Sequence, residues 1–172
     1  MMPVNIKTLD NPQQDIHYLD ALMAMIERAE ADSLSPYMYP NQRDFYERNL
    51  LGATVNVLAF VDDTLVGYAA LRAMTPWPDY LDPPEHPPET CALMLLNVVD
   101  PAYRGKGIGK QLADARIQAA RAWGFHHLFV TVHPDNTPSM RVLEQQGFQL
   151  IAQKPMFSNQ LLRNLMQLDL SA

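Results

Sequence analysis

The segment from Thr90 to Gly124 constrains this chain more than any other. Residues 90–99 form a nearly continuous apolar run, which reads as a strand buried on both faces. Asp100 and Pro101 end it. Three glycines, Gly105, Gly107 and Gly109, then fall within five positions, and Ile108, Leu112, Ala115, Ala119 and Ala122 recur at steps of four, three, four and three. That spacing marks one face of an amphipathic helix, with Gly124 as its C-terminal stop. A glycine-rich turn between a buried strand and a helix has the makings of an anion cradle. The first N–H groups of a helix have no partner within it, and glycine lets the backbone approach a phosphate closely. Arg104, Lys106 and Lys110 place three positive charges within seven residues there, so phosphates would gain charge-assisted contacts.

Two familiar phosphate motifs do not fit. A Walker loop needs glycine where Arg104 stands and Ser or Thr where Gln111 stands. A dinucleotide fingerprint needs a small residue at Lys110 and an acidic residue about twenty positions after the glycines, and the chain has neither.

The rest of the chain supplies further elements. Residues 2–9 alternate as a short strand through Val4, Ile6 and Thr8. Over residues 13–32, Ile16, Leu19, Leu22, Met23 and Ile26 keep helical spacing, with Asp15 and Asp20 early, where they suit the helix dipole. Residues 33–40 read as a connection broken by Pro36 and Pro40, and residues 41–51 as a second helix. Residues 55–61 and 65–73 read as a hairpin turning at Asp62, Asp63 and Thr64. Six of the fourteen prolines fall within residues 76–88, which must therefore be an irregular surface loop, either a rigid connection or a wall of a substrate site. A strand over 127–132, a helix from Pro138 to about Gln146 stopped by Gly147, and strands over 148–154 and 162–170 follow.

A length of 172 residues predicts one domain over 1–172. The net charge of −6 argues against sequence-independent binding of nucleic acid, which draws its affinity from Lys and Arg on phosphates. The lone Cys91 can form neither an internal disulfide nor a multi-cysteine metal site; it is expected in the core and fits a reducing compartment, the cytoplasm. The longest apolar run, residues 91–96, is six residues long, so no membrane partner is expected. The charge is also lopsided: residues 1–89 carry 5 basic and 14 acidic side chains, and residues 90–172 carry 8 basic and 5 acidic. This predicts an anionic ligand for the second half and a cationic one for the first.

The spacing Val99-x-Pro101-x-x-Arg104-Gly105-x-Gly107-Ile108-Gly109 resembles the acetyl-CoA signature of the GNAT N-acetyltransferase superfamily. Asn136 with Ser139, followed by Gly147 and Phe148, is similar to that family's second characteristic stretch. The resemblance implies an α+β fold: a single domain whose mixed, mostly antiparallel sheet of about seven strands has helices on both faces. It also implies a cleft where strands 90–99 and 127–132 splay apart. The cofactor would be acetyl-CoA, without a metal. Its pyrophosphate would sit on the backbone amides of Arg104, Gly105, Lys106, Gly107, Ile108 and Gly109, with Lys110 adjacent. Asn97, Val98 and Val99 would pair with the pantetheine arm, Asn136 would bond near the thiol, and the backbone N–H at Val98 would stabilise the oxyanion.

Two positions depart from that pattern. A tyrosine acid often stands seven residues after the asparagine, where this chain has Leu143, and a glutamate base five before it, where this chain has Thr131. The remaining proton acceptors are His133, at the end of strand 127–132, and His86 and Glu89 near the proline loop. Tyr103 reads as a packing or surface residue, while Trp77 and Tyr80 could wall an acceptor site or cover core. The expected activity is transfer of an acetyl group from acetyl-CoA to a primary amine, of a small molecule or a protein, by direct attack in a ternary complex. The acidic first half favours a cationic acceptor. The alternative is a non-catalytic module of the same fold that binds coenzyme A or an acyl-CoA. The sequence leaves oligomeric state open, a dimer being compatible with it.

Overall fold

The computed structural model describes residues 3–32, 37–52 and 54–170. Seven strands run along the chain: β1 (Val4–Thr8), β2 (Thr54–Val61), β3 (Thr64–Ala73), β4 (Cys91–Val99), β5 (His127–Val132), β6 (Gln149–Met156) and β7 (Leu161–Asp169). They form one sheet in the order β1-β2-β3-β4-β5-β7-β6. Every neighbouring pair is antiparallel except β4 and β5, which run parallel. The helices are α1 (Pro12–Asp15), α2 (Leu19–Glu30), α3 (Arg43–Leu51), α4 (Ile108–Ala122) and α5 (Thr137–Gln145). This is the mixed, mostly antiparallel α+β sheet that the family resemblance implies.

Strand alternation sends β2 and β3 side chains to two cores. Val57, Ala59 and Ala69 pack with Leu112 and Ile117 of α4 on one face, and Leu58 and Tyr68 pack with Leu22 and Ile26 of α2 on the other. A third cluster joins Met74, Leu93 and Phe129 to Leu81 of the proline-rich loop. Trp77 of that loop stands edge-on to Phe129, their rings 5.9 Å apart, and its indole N–H donates to the Asp82 carbonyl. Trp77 therefore covers core.

Several elements differ from the sequence expectation, each for a local reason. The helix expected over 13–32 is interrupted by a 3-10 turn at Ile16–Tyr18, where a β-branched and two aromatic-ring residues, poor helix formers, follow one another. Asp15 does not merely face the dipole; its carboxylate accepts the Asn11 N–H at 2.7 Å ahead of the first turn. The hairpin turn is shorter than expected, because Thr64 already pairs with Val61 while Asp62 takes the left-handed conformation at φ 53°. Part of the expected connection, residues 33–36, and the start of the first strand, residue 2, lie outside the described residues.

Two differences shape the centre of the molecule. The buried face of α4 carries Leu112, Ala113, Arg116, Ile117 and Ala120, whereas Ala122, counted in the expected stripe, is exposed. The stripe read from alanines missed that face because a charged residue, Arg116, stands in its middle. Strand β4 is buried on both faces only as far as Met94; Leu95 and Leu96 are half-buried and Asn97 is exposed. The cause is a bulge that sets Leu95 and Leu96 against Ala70 alone, between the pairs Leu71↔Met94 and Ala69↔Asn97.

Arg116, only 1% exposed, reaches this bulge from α4. Its Nη1 donates to the Leu96 carbonyl at 2.6 Å and to the Ala70 carbonyl at 3.3 Å, and its Nε donates to Leu112 at 3.4 Å. Burial pulls its pKa down to about 9, a sign of how poorly the charge is solvated. Arg116→Ala is expected to lower the unfolding free energy by about 2–4 kcal/mol, because two carbonyls lose their donor and a cavity opens; urea denaturation measures it.

Candidate functional site

The parallel ladder between β4 and β5 lasts only four pairs, from Cys91↔His127 to Met94↔Val130. Beyond it the strands part. Residues 95–99 keep β3 on one side and have no strand on the other. The gap opens into a cleft of about 990 Å³ lined by both strand ends, the glycine turn, α5, residues 37–39 and the β6–β7 turn. The expected splay is thus present.

At one end lies the glycine turn. Gly105 and Gly107 adopt φ of 76° and 79°, which glycine alone takes without strain, and a Cβ at either would meet nothing within 4 Å. Among the described residues, the N–H groups of residues 105–110 donate to no backbone carbonyl; the first bonded one is that of Gln111, to Gly107. Asn97 fixes the helix start through its side chain, which donates to the Gly109 carbonyl at 3.0 Å. Asn136, capping position of α5, has a buried Oδ1 with no partner. Such an atom is costly to leave unpaired and suits a ligand N–H. Arg104, Gly105, Gly107, Ile108, Gly109, Lys110, Asn97, Val98, Val99 and Asn136 all line the cleft.

The charges of the turn are mostly engaged. Arg104 forms an ion pair with Asp32, and Lys110 with Asp114 at 2.8 Å, leaving Lys106 exposed. A second pair joins Arg28 of α2 to Asp100 at 2.8 Å, and Asp100, 5% exposed, also accepts the Ala102 N–H at 3.0 Å. Arg28 in the last turn of α2 and Asp32 just past its end thus grip residues 100 and 104, holding the end of α2 against the turn. Neither pair shows in local sequence, since each spans 72 positions.

The opposite end is aromatic and cationic. Tyr39 donates to or accepts from Ser158 at 2.8 Å, and the rings of Tyr39 and Tyr80 lie 4.9 and 4.8 Å from Phe157. Tyr80 therefore belongs to the cleft wall. Burial pushes its phenol pKa up, while Arg72 beside it works in the other direction. Arg163 donates from Nη1 to the Tyr37 carbonyl and from Nη2 to the Thr131 carbonyl, both at 2.7 Å. Leu143, at the position of the missing tyrosine, lines the cleft as a buried apolar wall.

The expected proton acceptors lie elsewhere. His133 is not in the cleft lining: its ring lies tilted against Tyr37, 4.7 Å between centres, and its Nδ1 accepts the Asp135 N–H at 3.1 Å. His86 stacks on His127 at 3.7 Å, at the closed end of the ladder. Glu89 lies in the 3-10 turn Pro88–Thr90 ahead of β4, at the closed end of the ladder. Cys91 is buried at that same end, its thiol pKa raised by burial. Among the described residues the cleft lining holds no Asp, Glu or His; its charged side chains are Arg48, Arg72, Arg104, Lys110, Arg116 and Arg163. The acidic surplus of the first half sits in turns, caps and ion pairs, such as Asp62, Asp15 and the Asp20–Arg43 contact at 2.6 Å.

The family model described as the acetyltransferase (GNAT) family matches residues 19–148. The chain belongs to the GNAT acetyltransferase family. Among curated GNAT relatives, it is 39% identical over 66 residues to the uncharacterized N-acetyltransferase YycN of Bacillus subtilis, covering 38% of this chain and 42% of that protein. It is 30% identical over 116 residues to an L-methionine sulfoximine/L-methionine sulfone acetyltransferase of Salmonella typhimurium, covering 67% of this chain and 62% of the other. The chain thus spans less than two thirds of the length of these relatives. In fold it is similar to yncA, an acetyltransferase of Salmonella typhimurium solved with acetyl-CoA. The TM-score is 0.73 at 21% identity, over 98% of this chain and 94% of that one. No helix among the described residues is long and apolar enough to cross a membrane, and no group of His, Cys, Asp or Glu could hold a metal ion.

The ion-pair grip on the turn makes a measurable demand. Asp100→Ala is expected to destabilise the protein by about 2–3 kcal/mol, since Arg28 and the Ala102 N–H both lose a charged acceptor. Thermal and urea unfolding with unchanged circular dichroism would check it.

Proposed function

We propose that this chain is one catalytic domain that moves an acetyl group from acetyl-CoA to a primary amine by direct attack in a ternary complex. The observation that carries the reading is the splay: a strand edge left without a partner runs from the centre of the cleft toward a helix start whose N–H groups are also free. The thioester of acetyl-CoA supplies an activated acyl group. Residues 105–110 would hold the pyrophosphate on backbone N–H groups, chiefly through hydrogen-bond geometry, because Arg104 and Lys110 already have carboxylate partners. Residues 97–99 would extend the sheet by one pseudo-strand along the pantetheine arm, and Asn136 Oδ1 would accept an amide N–H from it.

The resemblance gives the acyl carbonyl to the Val98 N–H, but the Asp100 N–H bond to the Val66 carbonyl fixes the parity of the β3–β4 ladder and turns the Val98 N–H toward Tyr68 of β3; the N–H groups of Asn97 and Val99 face the gap, and one of these would polarise the acyl carbonyl. A covalent route through Cys91 is disfavoured by its burial at the closed end of β4. An alkylammonium of ordinary pKa needs roughly 4–5 kcal/mol to lose its proton at pH 7. With no carboxylate or imidazole in the described lining, that proton passes to water in the open cleft.

Release of free thiol from acetyl-CoA across a panel of amines tests the activity. Coenzyme A binding without turnover for any amine would replace it with the non-catalytic module. In the active protein, log(kcat/KM) is expected to rise with a slope of about one up to the pKa of the acceptor amine itself, with no inflection near pH 6.5 from a histidine. Gly107→Glu is expected to remove detectable coenzyme A binding by calorimetry while the far-ultraviolet spectrum stays native. The substitution adds a carboxylate at the cradle and a side chain at φ 79°.

A further inference from the structure

The end of the cleft remote from the glycine turn holds two arginines without a counter-ion. Arg72 stands on β3 opposite Leu93, and Arg163 stands on β7 and reaches the Thr131 carbonyl on β5. Both line the cleft, Arg72 from the β4 side through β3 and Arg163 from the β5 side through β7. Neither is in an ion pair with a described carboxylate, whereas Arg48, Arg104 and Lys110, the other mobile cations of the lining, are paired with Asp44, Asp32 and Asp114. The Nε of Arg163 is buried and has no hydrogen-bond partner. The guanidinium also lies 5.7 Å from the centre of the Phe157 ring, in the aromatic wall formed with Tyr39 and Tyr80.

Guanidinium groups set in an apolar wall without an anion are unfavourable unless something brings one. Burial lowers the Arg163 pKa to about 10, consistent with a charge short of solvation and of partners. Tyr80 meets Arg72 with a neutral phenol, whose pKa is itself raised by burial, so it supplies no formal charge. A planar carboxylate fits the fork of a guanidinium through two parallel charge-assisted hydrogen bonds. A polyamine or a lysine side chain would bring a second positive charge to a wall that already repels one.

Resting on the acetyltransferase reading above, we infer that the acceptor carries a carboxylate as well as its amine, as an amino acid does, and that Arg72 and Arg163 receive that carboxylate. The amine is then oriented into the gap between residues 95–99 and Thr131, where the acyl group would lie. This reverses the cationic acceptor expected from the acidic first half, because the acidic residues of that half do not line the cleft.

The test compares L-amino acids with their α-carboxamides, and spermidine as a cationic control, by thiol release. The wild type is expected to favour the acid over its amide by about ten- to a hundred-fold in kcat/KM, the range of a charge-assisted contact. Arg72→Met is expected to bring that ratio near one, through the KM for the acid, without changing the KM for acetyl-CoA. Arg72 is the chosen position because Arg163 also holds two backbone carbonyls, and its loss would disturb the gap itself.

Equal use of acid and amide, or a preference for spermidine, overturns the inference while leaving the acetyltransferase reading intact. If no amine is acetylated, calorimetry of the same amino acids against the coenzyme A-loaded protein still decides. Binding of acids but not amides upholds the carboxylate site, and binding of neither overturns it.

Discussion

The early end of the ladder between β4 and β5 is the constraint on which the rest of this molecule depends. Four parallel pairs join the two strands, and past Met94 and Val130 the backbone groups of both lips lose their partners. Buried backbone groups do not stay unpaired without a large penalty, so an opening in the middle of a sheet has to be held by something. Here two arginines hold it. Arg116 from α4 takes the carbonyls of Leu96 and Ala70 at the bulge, and Arg163 from β7 takes the carbonyl of Thr131, the first residue of β5 past the ladder. Each guanidinium brings several fixed donors to a place where a neighbouring strand would have brought one.

The charge distribution follows from the same geometry. Among the described residues the cleft lining carries arginine and lysine but no carboxylate, and several of the acidic residues join separate elements instead. Asp32 and Asp100 are the clearest cases: through Arg104 and Arg28 they bind α2 to the glycine turn, so that the helix under one core and the loop at the cleft mouth form a single piece. A charge count by halves detects the asymmetry but not where the acidic side chains sit. Counting cannot tell an acid that faces solvent or a neighbouring arginine from one that faces a ligand.

How far the structure could be read beforehand depended on how local each feature is. Strands β2 to β5, α4 and α5 were legible because period-two and helical patterns and their glycine and proline stops lie within a few residues of one another. The glycine turn was legible for the same reason: strand, turn and helix follow directly in the chain. The buried side of α4 was half-hidden, since Arg116 interrupts the apolar series with the residue type least expected there, although its position four after Leu112 and four before Ala120 could have flagged it. Of the opposite wall only Tyr80 was legible, as one of two aromatic residues of the proline-rich loop that could line an acceptor site. Tyr37, Tyr39, Arg72, Tyr80, Phe157 and Arg163 come from separate connections and strands, and only the sheet order, with β7 inserted between β5 and β6, brings them together.

The two halves of the sheet are also bridged away from the ladder, by Gln146 donating to Asp114 at 2.8 Å behind α5 and by Tyr39 against Ser158 at the other wall. The gap is thus a fixed slot in a closed frame. A flexible chain bearing amide groups can slide into it and form sheet-like bonds with residues 95–99 without displacing a strand, and can withdraw without obliging any strand to re-pair. No described strand pairing spans the gap between residues 95–99 and the end of β5, so such a chain would meet open strand edges without first breaking a ladder of the sheet.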